Sequence, residues 1–156
     1  MIKVIPTLFG PVEIKVDWKQ FEIDMHRKVV DEGKCPNAVR QCTTTGFVLD
    51  GKGKIPDIWI PEKLHIISCK LQDCGGTAYQ KISHEFMDLQ ELSEQDGEIY
   101  EGLTSTILLL NYDGFDFSKE VPSLQRRYDR FMKGKNAKST VEFVLYDNDN
   151  PLGFLK

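Results

Sequence analysis

The segment Thr104 to Tyr112 constrains the fold more than any other stretch of this chain. Its centre, Ile107-Leu108-Leu109-Leu110, is unbroken hydrocarbon. A strand with one wet face alternates apolar and polar side chains, and this one does not. It reads as a central strand covered on both faces, which requires helices on both sides of the sheet. The run is far too short to cross a bilayer.

The rest of the chain supplies those helices and further strands. Asp17 caps the first clear helix, with Gln20 at the capping-box position. Trp18, Met25 and Val29 share one helical face with Phe21 beside them, and Gly33 and Pro36 mark the end. Glu22 falls on that same face, and an inward carboxylate needs a reason. Ala38 to Leu49 reads as a strand from its Thr, Phe and Val content, Asp50 to Lys54 as a turn, Ile55 to Ile60 as a second strand and Leu64 to Leu71 as a third. Short connections make these antiparallel neighbours.

Thr77 opens a second helix with Gln80 completing another capping box. Ala78, Ile82, Phe86, Leu89 and Leu92 form its buried stripe, and Gln95-Asp96-Gly97 stops it. A helix between strands 64–71 and 104–112 implies a crossover and a parallel pair. Pro122 starts a third helix reaching about Met132, and Thr140 to Tyr146 is a last strand. Met1 to Val16 alternates weakly, the pattern of a short strand. The expected architecture is a three-layer α/β fold, a mixed central sheet flanked by helices, in one domain over residues 1–156.

Within strand 64–71, Ile67, Cys69 and Leu71 point one way, and Ile66, Ser68 and Lys70 the other, with Gln72 continuing that line. A lysine on an apolar strand is costly to bury unless an anion meets it. Asp57, on the preceding strand and after a proline, can approach Lys70 if the two strands pair, and Glu22 can reach them from the first helix. An ordinary ion pair at a sheet end would satisfy the same pattern.

The sequence Pro56-Asp57, ten residues, Ser68-Cys69-Lys70 resembles the PD…(D/E)xK signature of restriction-type nucleases. Gly75-Gly76-Thr77-Ala78-Tyr79-Gln80-Lys81-Ile82 resembles the stretch that follows the signature in some restriction endonucleases. The order of a helix with Glu, three strands, helix and strand is similar to the core of the PD-(D/E)XK superfamily, and the likeness covers roughly residues 17 to 112. It implies a restriction-endonuclease-like core and a Mg²⁺-dependent endonuclease, with Mn²⁺ as a substitute, that hydrolyses DNA phosphodiesters. Asp57 would be a metal ligand, Glu22 would complete the metal shell, and Lys70 would position the attacking water and stabilise the pentacoordinate phosphorus. Ser68 stands where the family usually has Glu or Asp, and a hydroxyl is a weak neutral ligand. Either Glu22 or another acid such as Glu85 replaces the carboxylate, or the site is degenerate and the chain binds DNA or protein without cutting. Gln72 can add an amide oxygen.

For the nucleic acid, Thr77 at a helix start offers backbone amides and Lys81 a cation near the catalytic strand. Arg126, Arg127, Arg130, Lys133, Lys135 and Lys138 form the dense basic tract, either a solvated helix face or a phosphate-tracking one. Arg40, Gln41 and Lys52 to Lys54 precede Asp57 and can face the same groove. Cutting both strands of double-stranded DNA with a chain this small implies a homodimer.

The net charge of −4 excludes a globally basic, histone-like binder but suits an enzyme with acidic metal ligands and local basic surface. Cys35, Cys42, Cys69 and Cys74 match no common zinc spacing and read as reduced thiols, with Cys69 buried. His26, His65 and His84 pair with no Ser or Cys at a suggestive spacing, against histidine-based hydrolysis. The N-terminus lacks a signal-peptide core, and a cytoplasmic protein with no membrane span is expected.

Overall fold

The computed structural model describes residues 2–15, 18–43, 46–71, 78–110 and 120–155. In chain order its elements are β1 (Ile2–Thr7), β2 (Gly10–Lys15), α1 (Trp18–Asp31), β3 (Val39–Arg40), β4 (Val48–Leu49), β5 (Lys52–Gly53), β6 (Ile58–Ile60), β7 (His65–Leu71), α2 (Ala78–Ser93), β8 (Thr104–Leu110), α3 (Glu120–Lys135) and β9 (Val141–Leu145). Five strands form the central sheet in the order β3-β6-β7-β8-β9. The first three run antiparallel and the last three parallel. The chain is therefore α/β with a mixed central sheet, and β8 is as buried as its sequence demands, from Ser105 to Leu109.

Helices cover both faces. On one, Met25 and Val29 of α1 pack on Ile58, Ile60, Ile67 and Leu108, with Phe21 and the C-terminal Leu152, Phe154 and Leu155 at the margin. On the other, Ile82, Phe86, Leu89 and Leu92 of α2 and Leu124, Tyr128 and Met132 of α3 pack on Ile66, Ile107, Leu109, Val141 and Phe143. The alternation of β7 sorts as its sequence implies: Ile67 and Cys69 face α1, and Ile66 faces α2 and α3. Cys69 is only half-buried at that margin.

Several boundaries differ from those expected. The span 38–49 is not one strand but β3 and β4, because the backbone turns left-handed at Gln41 (φ 50°) and Gly46 (φ 81°). β4 and β5 form a separate hairpin closed by Asp50 and Gly51 at φ 51° and 76°, the twist that a two-residue hairpin turn requires. The strand expected from Ile55 starts only at Ile58, past Pro56. Residues 2–15 form a two-stranded hairpin in place of a single strand, with Pro6 opposite Pro11. Helix α3 begins at Glu120, so Pro122 lies in its first turn, where a missing N–H costs nothing. It ends against Asn136 at φ 53°. At the end of α1, the Gly33 N–H bonds Lys28 O at 3.0 Å, and a Cβ on Gly33 would stand 2.6 Å from Val29 O. The two proposed caps, Asp17 and Thr77, lie outside the described residues.

Candidate active site

The site forms where β6 falls short of β7. The pairing of Ile58 with Ile67 puts Asp57 level with Ser68 and Cys69. Because β6 stops there, the Cys69 N–H lacks a ladder partner, and Asp57 Oδ2 accepts it at 2.8 Å. Ser68 and Lys70 share the β7 face that looks toward α2. Lys70 sits near the carboxyl end of the parallel strand pair, level with Leu109, the end where open α/β sheets place ligands.

Two carboxylates meet the Lys70 charge, Asp57 from the β6 side and Glu85 from α2. Burial pushes the Asp57 carboxyl up. The attraction of Lys70 and the bond from Cys69 oppose this, and the charges of Glu22 and Glu85 add to it. Burial would also raise Glu85, but Lys70 and then Lys54, with hydrogen bonds from Lys54 and Ser68, hold it below the usual carboxylate range. The Ser68 hydroxyl donates to Glu85 Oε1 at 2.9 Å, and Lys54 Nζ donates to Oε2 at 3.0 Å. Burial pushes the Cys69 thiol up, with Asp57 and Glu22 adding to it.

Glu22 is fully buried on α1, inward as its helical position implies. Its Oε1 accepts from Gln41 Nε2 at 2.9 Å and from Arg40 Nη1 at 3.2 Å. Its Oε2 is buried with no hydrogen-bond partner among the described residues. Gln41 joins it to Asp57: its amide also donates to Asp57 Oδ1 at 3.2 Å, and its own N–H bonds Asp57 O at 3.0 Å. Arg40 and Gln41 thus both bond Glu22, while Gln41 remains exposed and Arg40 partly so.

The structure brings Asp57, Ser68, Lys70 and Glu22 together as the sequence suggested. It adds Gln41 as a bridge between Glu22 and Asp57 and Lys54 as a counter-ion to Glu85, and it puts Glu85 within hydrogen-bond reach of the Ser68 hydroxyl. Gln41 carries no legible signal, since its role depends on a left-handed backbone. Lys54 stands in a lysine-rich turn that was expected near the site, but composition alone does not say which lysine turns in. Gln72, Thr77 and the side chain of Lys81 lie outside the described residues.

Arg126, Arg127, Arg130 and Lys133 are all exposed on α3. The connections from β8 to α3 and from α3 to β9 run this helix antiparallel to the strands, so its start lies at the Lys70 end. Lys133 and Lys135 lie toward the opposite end, where Lys135 pairs with Glu94 at 2.5 Å.

As a cation site, Asp57 and Glu85 offer the hard oxygens that Mg²⁺ requires. The orphan Oε2 of Glu22 is a further acceptor nearby. No group of three His, Cys, Asp or Glu side chains is close enough to enclose a metal among the described residues. Mg²⁺ keeps several waters and takes only one or two protein carboxylates in phosphate sites, and Asp57 and Glu85 are the two that would hold it, each oxygen now engaged by a protein donor. No helix among the described residues is long and apolar enough to cross a membrane. No family model matches the chain, and no curated protein or solved structure matches it.

Proposed function

We propose that the chain is a Mg²⁺-dependent endonuclease of the restriction type, which hydrolyses DNA phosphodiesters as a homodimer. The observation that supports this most is the pair of carboxylates fixed by hydrogen bonds beside β7, Asp57 on the Cys69 N–H and Glu85 on the Ser68 hydroxyl, both drawn by the charge of Lys70 near the carboxyl end of the parallel strands. The two acids are themselves held in place, Asp57 by Cys69 and Gln41 and Glu85 by Ser68 and Lys54.

In this reading Asp57 and Glu85 hold Mg²⁺, and Glu85 takes the part of the carboxylate that Ser68 does not supply. The bound metal supplies Lewis-acid polarisation of the phosphate and a water of lowered pKa. The Lys70 ammonium orients the attacking water and stabilises negative charge building on phosphorus. Ser68 fixes the rotamer of Glu85, and Gln41 fixes that of Asp57. The exposed Arg126, Arg127 and Arg130 contact the phosphate backbone of double-stranded DNA.

The test is incubation of mixed-sequence plasmid DNA with Mg²⁺ or Mn²⁺ and wild type, Asp57→Ala, Lys70→Ala or Glu85→Ala. Discrete fragments from wild type alone are expected. A second reading, a nuclease fold that binds DNA or protein without cutting, is favoured by Ser68 and by the lack of a three-acid group among the described residues. It predicts salt-dependent DNA binding with no cleavage under either metal, and that outcome would sink the enzyme.

A further inference from the structure

Both oxygens of Glu85 are already engaged by protein donors, the Ser68 hydroxyl on Oε1 and the Lys54 ammonium on Oε2. The Lys54 pair is shielded, with side chains 20% and 14% exposed, so solvent screens it weakly. Lys54 is delivered by a fixed backbone: its N–H bonds Phe47 O at 2.8 Å, and the buried Phe47 ring packs edge-on against Trp59 at 4.9 Å. Its ammonium also lies 3.8 Å from Asp88, one turn further along α2 and 43% exposed.

An ammonium on a carboxylate oxygen and a divalent cation on the same oxygen exclude each other. We propose that Lys54 is a resident counter-ion occupying the Glu85 oxygen that a divalent cation takes, so that metal binding and withdrawal of Lys54 toward Asp88 are one exchange. This rests on the reading of Asp57 and Glu85 as metal ligands. Lys54 neutralises the Glu85 charge in the metal-free protein, and it sets how much metal is needed to load the site. Asp88 gives the displaced ammonium a second anionic seat, so the exchange does not strand a charge.

The experiment titrates the metal-free protein with Mn²⁺ and follows free Mn²⁺ by electron paramagnetic resonance. The variants are Lys54→Met, Lys54→Arg and Lys52→Met, without DNA. Lys52 is the matched control, an exposed lysine on the same hairpin with the same charge. Lys54→Met is expected to bind Mn²⁺ about tenfold more tightly than wild type, the equivalent of about 1.4 kcal/mol. Lys54→Arg should stay close to wild type, Lys52→Met should move by less than about twofold, and adding Glu85→Gln to Lys54→Met should remove the gain. If wild type binds Mn²⁺ but Lys54→Met binds no more tightly, or Lys52→Met tightens as much, the exchange is overturned and the metal reading stands. If neither wild type nor Lys54→Met binds Mn²⁺ at millimolar concentration, the metal reading itself fails and takes the exchange with it.

Discussion

His65 makes the stability of this protein depend on pH through one residue. It opens β7 and lies across β8, with Nδ1 2.7 Å from Thr104 Oγ1 and Nε2 2.8 Å from Thr106 Oγ1. The ring lines a cavity of about 310 Å³ at the end of the sheet remote from Lys70. Burial, with a smaller push from Lys63, lowers its pKa from 6.5 to about 4. As pH falls, the unfolded chain takes up the proton first, so the stabilisation is complete above about pH 6.5 and is lost between there and pH 4. At roughly 1.4 kcal/mol per pKa unit the gap amounts to about 3 kcal/mol. For a chain of this size that corresponds to a Tm decrease of roughly 6–12 °C. Carboxylates titrate over part of the same range, so the measurement is a difference. Urea unfolding of wild type and His65→Gln at pH 7.5 and pH 4.5 should show wild type losing about 2–3 kcal/mol more than the variant. Equal losses within about 0.5 kcal/mol would refute the assignment of a buried neutral imidazole.

Other expectations concern the core, the site and the surface. Tyr128 is fully buried, its hydroxyl donating to Gln90 Oε1 and accepting the N–H groups of Thr140 and Val141. Tyr128→Phe should cost about 1.5–3 kcal/mol in chemical denaturation by leaving the Val141 amide unpaired, and a cost below about 0.5 would count against the network. Asp57→Asn should abolish plasmid cleavage, and in urea unfolding of the metal-free protein wild type should gain on the variant as pH falls from neutral, because burial and the charges of Glu22 and Glu85 disfavour the ionised carboxyl. The sign follows from its raised pKa: ionised Asp57 is a cost to the fold at neutral pH that shrinks as pH falls. Glutamates at Arg126, Arg127 and Arg130 should weaken DNA binding at every sequence and flatten its salt dependence, whereas Lys133→Glu, toward the far end of α3, should do less in a fluorescence-anisotropy titration.

The sheet and its covering helices were legible because burial writes itself into sequence period. β8 is buried on both faces from Ser105 to Leu109, α2 repeats its apolar residues every three or four positions, and the two faces of β7 sort as their alternation implies. The inward Glu22 was legible for the same reason, as a carboxylate out of step with its helical face. What escaped depends on single backbone angles or on long-range meetings. Nothing in Arg40-Gln41 announces the left-handed turn that breaks the expected strand and folds both side chains onto Glu22. Nothing in the lysine-rich turn distinguishes Lys54 from Lys52, because the two differ only in which side of a hairpin they leave. The place of Glu85 beside Ser68 follows from how α2 docks on the sheet, and local pattern does not encode the docking angle.

The parallel pairing of β7 with β8 has a consequence for how the protein comes into being. His65 aligns with Thr104, so the two strands meet only by closing the intervening chain, which carries α2. Such non-local closure is slow compared with hairpin formation. Asp57 and Lys70 come together in a local antiparallel pair, but Glu85 joins them only after α2 is seated. A nascent chain that has not yet seated α2 therefore carries Asp57, Ser68 and Lys70 without Glu85 beside them.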